Sequence, residues 1–118
     1  MGLIRVPITL EGKKLKAKVT ALVDTGASLT VIPQALADRL KLVPFKTVTV
    51  SLADGRERRM PIGQAMVRID DRSAPANVLV SPHGEVLLGA ETLELLDISV
   101  DSKHRRLKFG KHFALKAA

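Results

Sequence analysis

Residues 21–28 read Ala-Leu-Val-Asp-Thr-Gly-Ala-Ser and close an alternating apolar run that begins at Leu15. Such alternation predicts a strand with one buried face, and Gly26 allows the backbone to turn sharply directly after Asp24. A carboxylate at the end of a buried strand is costly unless it has a use. We therefore expect Asp24 to be a functional acid, although an ordinary Asp-Gly turn would also fit these three residues.

A second short motif lies downstream, where the apolar run Val86-Leu87-Leu88 stops abruptly at Gly89. Residues 90–96 follow with helical spacing and early acidic residues, which favours a short helix. The two motifs, Leu22-Val23-Asp24-Thr25-Gly26-Ala27 and Leu87-Leu88-Gly89-Ala90, resemble the signature of the retropepsin-like aspartic proteases. The resemblance extends from about Ile8 to Phe109 and includes a hairpin at the position of that family's flap.

The resemblance implies an all-β fold, a closed barrel with one or two short helices, that works as a homodimer. Pepsin-like enzymes of two lobes carry two Asp-Thr-Gly motifs, whereas this chain carries one, so a second copy would supply the other Asp24. In the family, one carboxylate acts as base and the other as acid on a water that attacks the peptide carbonyl. The implied activity is an aspartic endopeptidase acting on a peptide or protein substrate, with no metal or organic cofactor.

Roles within the loop follow from the same resemblance. Asp24 is implied as the catalytic residue, and Thr25 as a hydrogen-bonding link between subunits. Gly26 and Ala27 would line the cleft floor, and Ser28 completes the active-site loop. Further cleft candidates come from the flap tip and the second motif, namely Leu52, Ala53, Asp54, Gly55, Leu87, Leu88 and Gly89. Apolar substrate pockets are expected from Val31, Ile32, Leu52 and Leu87.

The remaining chain predicts short strands joined by turns. Hairpins are expected over 4–23, 47–69 and 98–109, and a helix over 34–40 that begins after Pro33. The tip of the second hairpin is charged rather than glycine-rich and apolar, so a surface hairpin without substrate contact is an alternative there. Asp70 to Ala76 is predicted as a polar turn, followed by a strand over Asn77 to Val80.

Length and composition limit the protein class. A chain of 118 residues fits one domain, with a core at about 4–109 and a tail at 110–118. The absence of cysteine excludes disulfides, cysteine catalysis and thiolate metal sites. No apolar run approaches the roughly 20 residues of a membrane span, which favours a soluble cytoplasmic protein without a membrane partner.

The net charge of +7 raises the question of a nucleic-acid partner. The cations are spread along the chain, and three Phe without Tyr or Trp offer few surfaces for stacking bases. A nucleic-acid-binding barrel is therefore the weaker alternative, and a retropepsin-fold binding or dimerisation module without turnover is the main one. A serine-hydrolase site at Ser28 is not expected, because the Gly-x-Ser-x-Gly motif is absent. A metal site is not expected either, because the histidines stand singly and without the spacing of metal ligands, at His83, His104 and His112.

Overall fold

The computed structural model describes residues 3–111. Its elements are, in chain order, β1 (Arg5–Glu11), β2 (Lys16–Val23), β3 (Thr30–Pro33), α1 (Gln34–Arg39), β4 (Lys46–Ser51), β5 (Glu57–Ile69), β6 (Arg72–Ser81), β7 (Val86–Leu88), α2 (Ala90–Leu95), β8 (Ile98–Asp101) and β9 (Arg106–Phe109). Within these residues, no helix has the length and apolar character needed to cross a membrane.

Six strands form a closed ring in the order β1-β2-β7-β3-β6-β5. The ring closes because β1 also pairs with β5, with Leu10 opposite Val67. Strand β4 lies outside the ring and pairs with the first half of β5, from Glu57 to Ile62. The two strands form the hairpin that was expected over 47–69. Each ring strand has a partner on both sides over part of its length, and the predicted closed β-barrel with two short helices is confirmed.

The barrel is filled by alternating apolar side chains from every ring strand. The side chains of Leu10, Ile32 and Leu88 have no exposed surface, as expected for close-packed interiors. A second, smaller group lies at the base of the β4–β5 hairpin and is called the hairpin cluster here. Its members are Met60, Ile62 and Leu79 with Leu29, Val31, Val48 and Val50 packed against them.

Both helices are six residues long and end at a left-handed residue. Pro33 precedes α1 as its N-cap, and Lys41 follows it with a φ of 53°. Asp97 follows α2 with the same φ of 53°. Because a left-handed residue reverses the chain direction, each helix stops within two turns and the chain returns to the barrel.

The predicted polar turn over Asp70 to Ala76 is wrong. The turn contains only Asp70 and Asp71, with Asp70 at a φ of 54°, and β6 begins at Arg72. Ala74 and Ala76 are buried because β6 pairs with β5 along its whole first half. Small residues and Pro75 have weak strand propensity, so the partner strand rather than local preference makes this segment a strand.

The predicted final hairpin is present as a separate two-stranded sheet, β8–β9. Arg72 holds it against the barrel by donating hydrogen bonds to the carbonyl oxygens of Leu96 and Asp97, each at 2.9 Å, and to that of Gly110. Its guanidinium also lies 5.1 Å from the centre of the Phe109 ring. One side chain therefore connects the end of α2, the end of β9 and the start of β6.

At the tip of this hairpin, His104 hydrogen-bonds to Asp101 at 2.8 Å. That side-chain hydrogen bond lowers the pKa of Asp101. Because the pair is solvent-exposed, we assign it to the local turn and not to a binding site.

Candidate active site

Strand β2 delivers Asp24 to its position, because backbone hydrogen bonds hold the end of this strand on both sides. The N–H of Val23 donates to the carbonyl oxygen of Ile4 at 2.8 Å. The N–H of Asp24 donates to the carbonyl oxygen of Leu88 at 3.0 Å. Since β2 lies between β1 and the parallel strand β7, the backbone of the acid is fixed before the loop begins.

The loop after Asp24 turns back on the acid itself. The N–H of Gly26 donates to Oδ1 of Asp24 at 3.0 Å, and that of Ala27 donates to the Asp24 carbonyl oxygen at 3.1 Å. A Cβ on Gly26 would lie 3.3 Å from the same Oδ1, a distance that leaves little room for a side chain. Asp24 as a residue is half-buried, and the hydrogen bond to Oδ1 orients its carboxylate.

Helix α2 supports the other end of the loop. The N–H of Ala90 donates to the carbonyl oxygen of Ala27 at 2.8 Å, and that of Glu91 donates to the Ser28 carbonyl oxygen at 3.0 Å. Two N–H groups at the start of α2 that have no partner within the helix are thereby satisfied. The sequence motif that begins at Leu87 therefore supports the Asp24 loop through backbone hydrogen bonds from the start of α2.

A buried hydroxyl pair joins β3 to α2 beneath the loop. Oγ1 of Thr30 lies 2.7 Å from Oγ1 of Thr92 and accepts the Gly89 N–H at 3.1 Å. Both threonines have no exposed surface. A Cβ on Gly89 would collide with the carbonyl group of Leu29, so only glycine allows this approach.

Glu91 makes a further link that the sequence did not predict. Its carboxylate accepts hydrogen bonds from the backbone N–H of Asn77 at 3.1 Å and from Nδ2 of Asn77 at 3.2 Å. Strand β6 is thereby tied to the start of the helix that braces the loop. In the sequence, Thr30 and Thr92 are only polar residues next to apolar ones, and Glu91 is only an acid in the first turn of a helix. Their partners are 62 or 14 positions away in sequence.

The predicted loop residues have different environments. Thr25, Gly26 and Ser28 are exposed, whereas Ala27 is half-buried. Exposure of Thr25 fits its expected role toward a second subunit, which remains a prediction. The loop residues 24–28 come together at one end of the barrel, together with the start of α2.

The cleft candidates of the second motif need correction. Leu88 has no exposed surface, so its side chain cannot line an open cleft, and Gly89 is buried and has no side chain to contribute. Their roles lie in the backbone contacts to Asp24 and Thr30. Ile32 is also fully buried in the barrel core because it lies on the opposite face of β3 from Val31. Leu87 and Val31 are half-buried and pair with each other across the two strands.

The flap candidates lie at the tip of the β4–β5 hairpin. Leu52 is half-buried, and Ala53, Asp54 and Gly55 are exposed. Asp54 accepts the N–H of Arg56 at 3.0 Å and pairs with its Nε at 2.6 Å. Gly55 has a φ of 86°, which favours glycine at this turn. The charged tip is therefore a turn closed by its own backbone hydrogen bonds, with an exposed ion pair across it.

Residues 7–95 match the family model described as "gag-polyprotein putative aspartyl protease". The chain belongs to this aspartyl protease family. It is also 30% identical over 87 residues to the Pro-Pol polyprotein of Simian foamy virus type 3 (strain LK3). That alignment covers 74% of the chain and 7% of the polyprotein, so the chain spans a small part of this relative.

Solved structures share the fold of this family member. The solution structure of Simian Foamy Virus (mac) protease matches with a TM-score of 0.53 and 28% identity, over 76% of the chain and 93% of that protease. EIAV protease complexed with the inhibitor HBY-793 matches with a TM-score of 0.64 and 18% identity, over 79% of the chain and 86% of that protease. The foamy viral protease-reverse transcriptase in complex with an RNA/DNA hybrid matches with a TM-score of 0.60 and 22% identity. That match covers 78% of the chain and 12% of the protease-reverse transcriptase. The resemblance to retropepsin-like proteases is confirmed.

Outside this site, the remaining candidates show no comparable assembly. His83 is exposed, and His104 belongs to the β8–β9 turn, while His112 lies outside the described residues. Among residues 3–111, no group of three or more His, Asp or Glu side chains could hold a metal ion. Asp70 and Asp71 form the tight β5–β6 turn.

Proposed function

We propose that the protein is an aspartic endopeptidase whose active site forms from two copies of the chain, each contributing Asp24. The observation that carries the proposal is the position of this acid, half-buried at the end of a barrel strand and oriented by the N–H of Gly26. Membership of the aspartyl protease family supports the same chemistry. One carboxylate of the pair would remove a proton from a bound water, and the other would donate a proton to the peptide carbonyl.

A second copy is needed because one chain holds a single Asp-Thr-Gly motif. The surface beside Asp24 supports pairing. Ile4 accepts the Val23 N–H, so Leu3 lies next to Asp24 at the same end of the barrel, and Leu3 is 69% exposed. An exposed leucine beside the acid would be buried by an isologous partner.

The substrate would be an extended peptide held between the Asp24 loop and the β4–β5 hairpin. The inner side of this hairpin packs on Leu29 and Val31, which directly follow the loop. An extended peptide leaves backbone groups free for hydrogen bonds and places alternate side chains in pockets. Val31 and Leu87, both half-buried, are the apolar candidates for such pockets.

Substitution of Asp24 by asparagine tests the activity. An amide can neither take up nor release the required proton, so we expect Asp24→Asn to lose peptide cleavage by at least about a thousandfold while the fold is kept. The measurement is cleavage of a peptide library by the purified protein between pH 4 and 7, with pepstatin-class inhibitors as a second readout. Asp71→Asn, a change of the same kind in an exposed turn, is the control and should cleave normally.

Retained cleavage in Asp24→Asn would overturn the assignment. A wild-type protein that dimerises and binds peptides, but never cleaves them, would instead favour the module without turnover. Binding of RNA or DNA that weakens steeply with salt, together with no peptide cleavage, would favour the nucleic-acid alternative.

A further inference from the structure

The register of the β4–β5 hairpin shows which of its side chains share a face. Residues directly opposite each other on antiparallel strands point to the same side. Val48 lies opposite Met60, and Val50 lies opposite Arg58. Since Val48, Val50 and Met60 belong to the hairpin cluster, Arg58 lies on the same inner face, two residues nearer to the tip than Met60.

This inner face is turned toward the segment that leaves the Asp24 loop. Leu29 and Val31 belong to the same hairpin cluster and follow the loop directly in sequence. A peptide held between hairpin and loop would therefore pass beneath the row formed by Val48, Val50 and Arg58. In that row Arg58 is the charged member.

A cavity of about 390 Å³ opens beside Arg58, where β5 has separated from β6. One part of its wall is cationic and comes from Arg58 and Arg59. The other part is mainly apolar and is completed by Met60, Pro61, Val80, Pro82 and the polar Gln34. A cationic rim over an apolar wall suits a side chain that has methylene groups below a carboxylate.

Within residues 3–111, neither of these two arginines forms an ion pair. The acids in the neighbouring turns have other partners. Asp54 pairs with Arg56 at 2.6 Å, and Glu85 pairs with Arg5 at 3.5 Å. Arg58 thus lines the cavity from the inner face, whereas the side chain of Arg59, the next residue on the strand, points to the opposite face. A carboxylate that pairs with Arg58 would come from outside the described chain.

We propose that Arg58, flanked by Arg59, forms a specificity pocket for an acidic side chain of the peptide substrate. The proposal rests on the proposed function, because the peptide must lie between hairpin and loop. A guanidinium pairs with a carboxylate through two parallel hydrogen bonds, which an amide cannot match. Glutamate is preferred over aspartate, since its additional methylene group reaches the apolar wall.

The test compares peptides that differ by Glu or Gln at each position around the cleaved bond. We expect wild type to prefer Glu at one position by about tenfold in kcat/KM, a charge-assisted gain of ordinary size. Arg58→Gln should remove the preference, and Arg58→Glu should reverse it in favour of Gln, because two carboxylates repel each other. Arg68→Gln changes an exposed arginine on the same strand and should leave the preference intact.

A binding measurement separates this proposal from the proposed activity. The same peptide pairs are titrated into Asp24→Asn protein, with and without Arg58→Gln. Loss of the Glu preference on Arg58→Gln in every readout that shows it in the parent protein supports the pocket. No Glu preference in both readouts, or one that survives Arg58→Gln, would overturn it. A preference in binding without cleavage by wild type would overturn only the peptidase activity.

Discussion

Thr30 serves two neighbours with one hydroxyl group. Its Oγ1 accepts the Gly89 N–H and hydrogen-bonds to Thr92, all without contact with solvent. A valine at this position has nearly the same side-chain shape, but it leaves the Gly89 N–H and the Thr92 hydroxyl without this hydrogen-bond partner in the interior. Because Gly89 begins the turn into α2, the hydroxyl of Thr30 also helps to position the brace beneath the Asp24 loop.

We expect Thr30→Val to lower the free energy of unfolding by about 1–3 kcal/mol, the cost of a buried donor without a partner. Thr92→Val is the matched control and should cost less, since Thr30 can still accept the Gly89 N–H. Urea unfolding of both variants measures the difference. An equal or larger effect at Thr92 would show that the hydroxyl of Thr30 does not have this role.

The C-terminal hairpin is outside the barrel sheet, because within residues 3–111 its strands β8 and β9 pair only with each other. Ile98, Val100 and Leu107 pack on the core. Arg72 adds a polar attachment, because it reaches the carbonyl oxygens of Leu96, Asp97 and Gly110 and covers the Phe109 ring. A planar guanidinium can bridge several acceptors in fixed directions, and a lysine ammonium cannot. The position of the hairpin therefore depends on the shape of this side chain as well as on its charge.

Substitution Arg72→Lys should loosen the hairpin while the barrel stays folded. We expect amide hydrogens over residues 98–109 to exchange at least about tenfold faster, with little change in β1 and β2. Arg68→Lys, an exposed change of the same kind on β5, is the control and should exchange like wild type. Uniformly faster exchange in all strands would mean that Arg72 stabilises the whole barrel instead.

For the whole molecule, the proposed activity requires two intact chains in one active site. Mixing wild type with Asp24→Asn chains would produce dimers that hold a single acid. With a ninefold excess of the variant, about one tenth of the wild-type chains would find a wild-type partner, so activity should fall about tenfold. Addition of Asp71→Asn chains in the same excess should not reduce it.

Activity that is unchanged by excess Asp24→Asn chains, after enough time for exchange of subunits, would contradict a shared site. Sedimentation at the concentrations of the assay gives the fraction of dimer, and a reversible monomer–dimer equilibrium in that measurement shows that subunits can exchange. A purely monomeric chain with full activity would lead to the same conclusion from an independent measurement.

Local sequence patterns were sufficient for the strand that carries Asp24, for the glycine turn after it and for the positions of both helices. Alternation and turn residues act over a few neighbouring positions, and each of these features depends on such neighbours. The two motifs around Asp24 and Gly89 also indicated the family. Only the tertiary structure decided that Arg72 to Ala76 extends β6, that Leu88 and Ile32 are buried, and that Thr30, Thr92 and Glu91 brace the loop. These outcomes depend on which face of a strand meets the barrel interior and on partners distant in sequence, and both are set by the strand pairing of the closed barrel together with the packing of α2 against it.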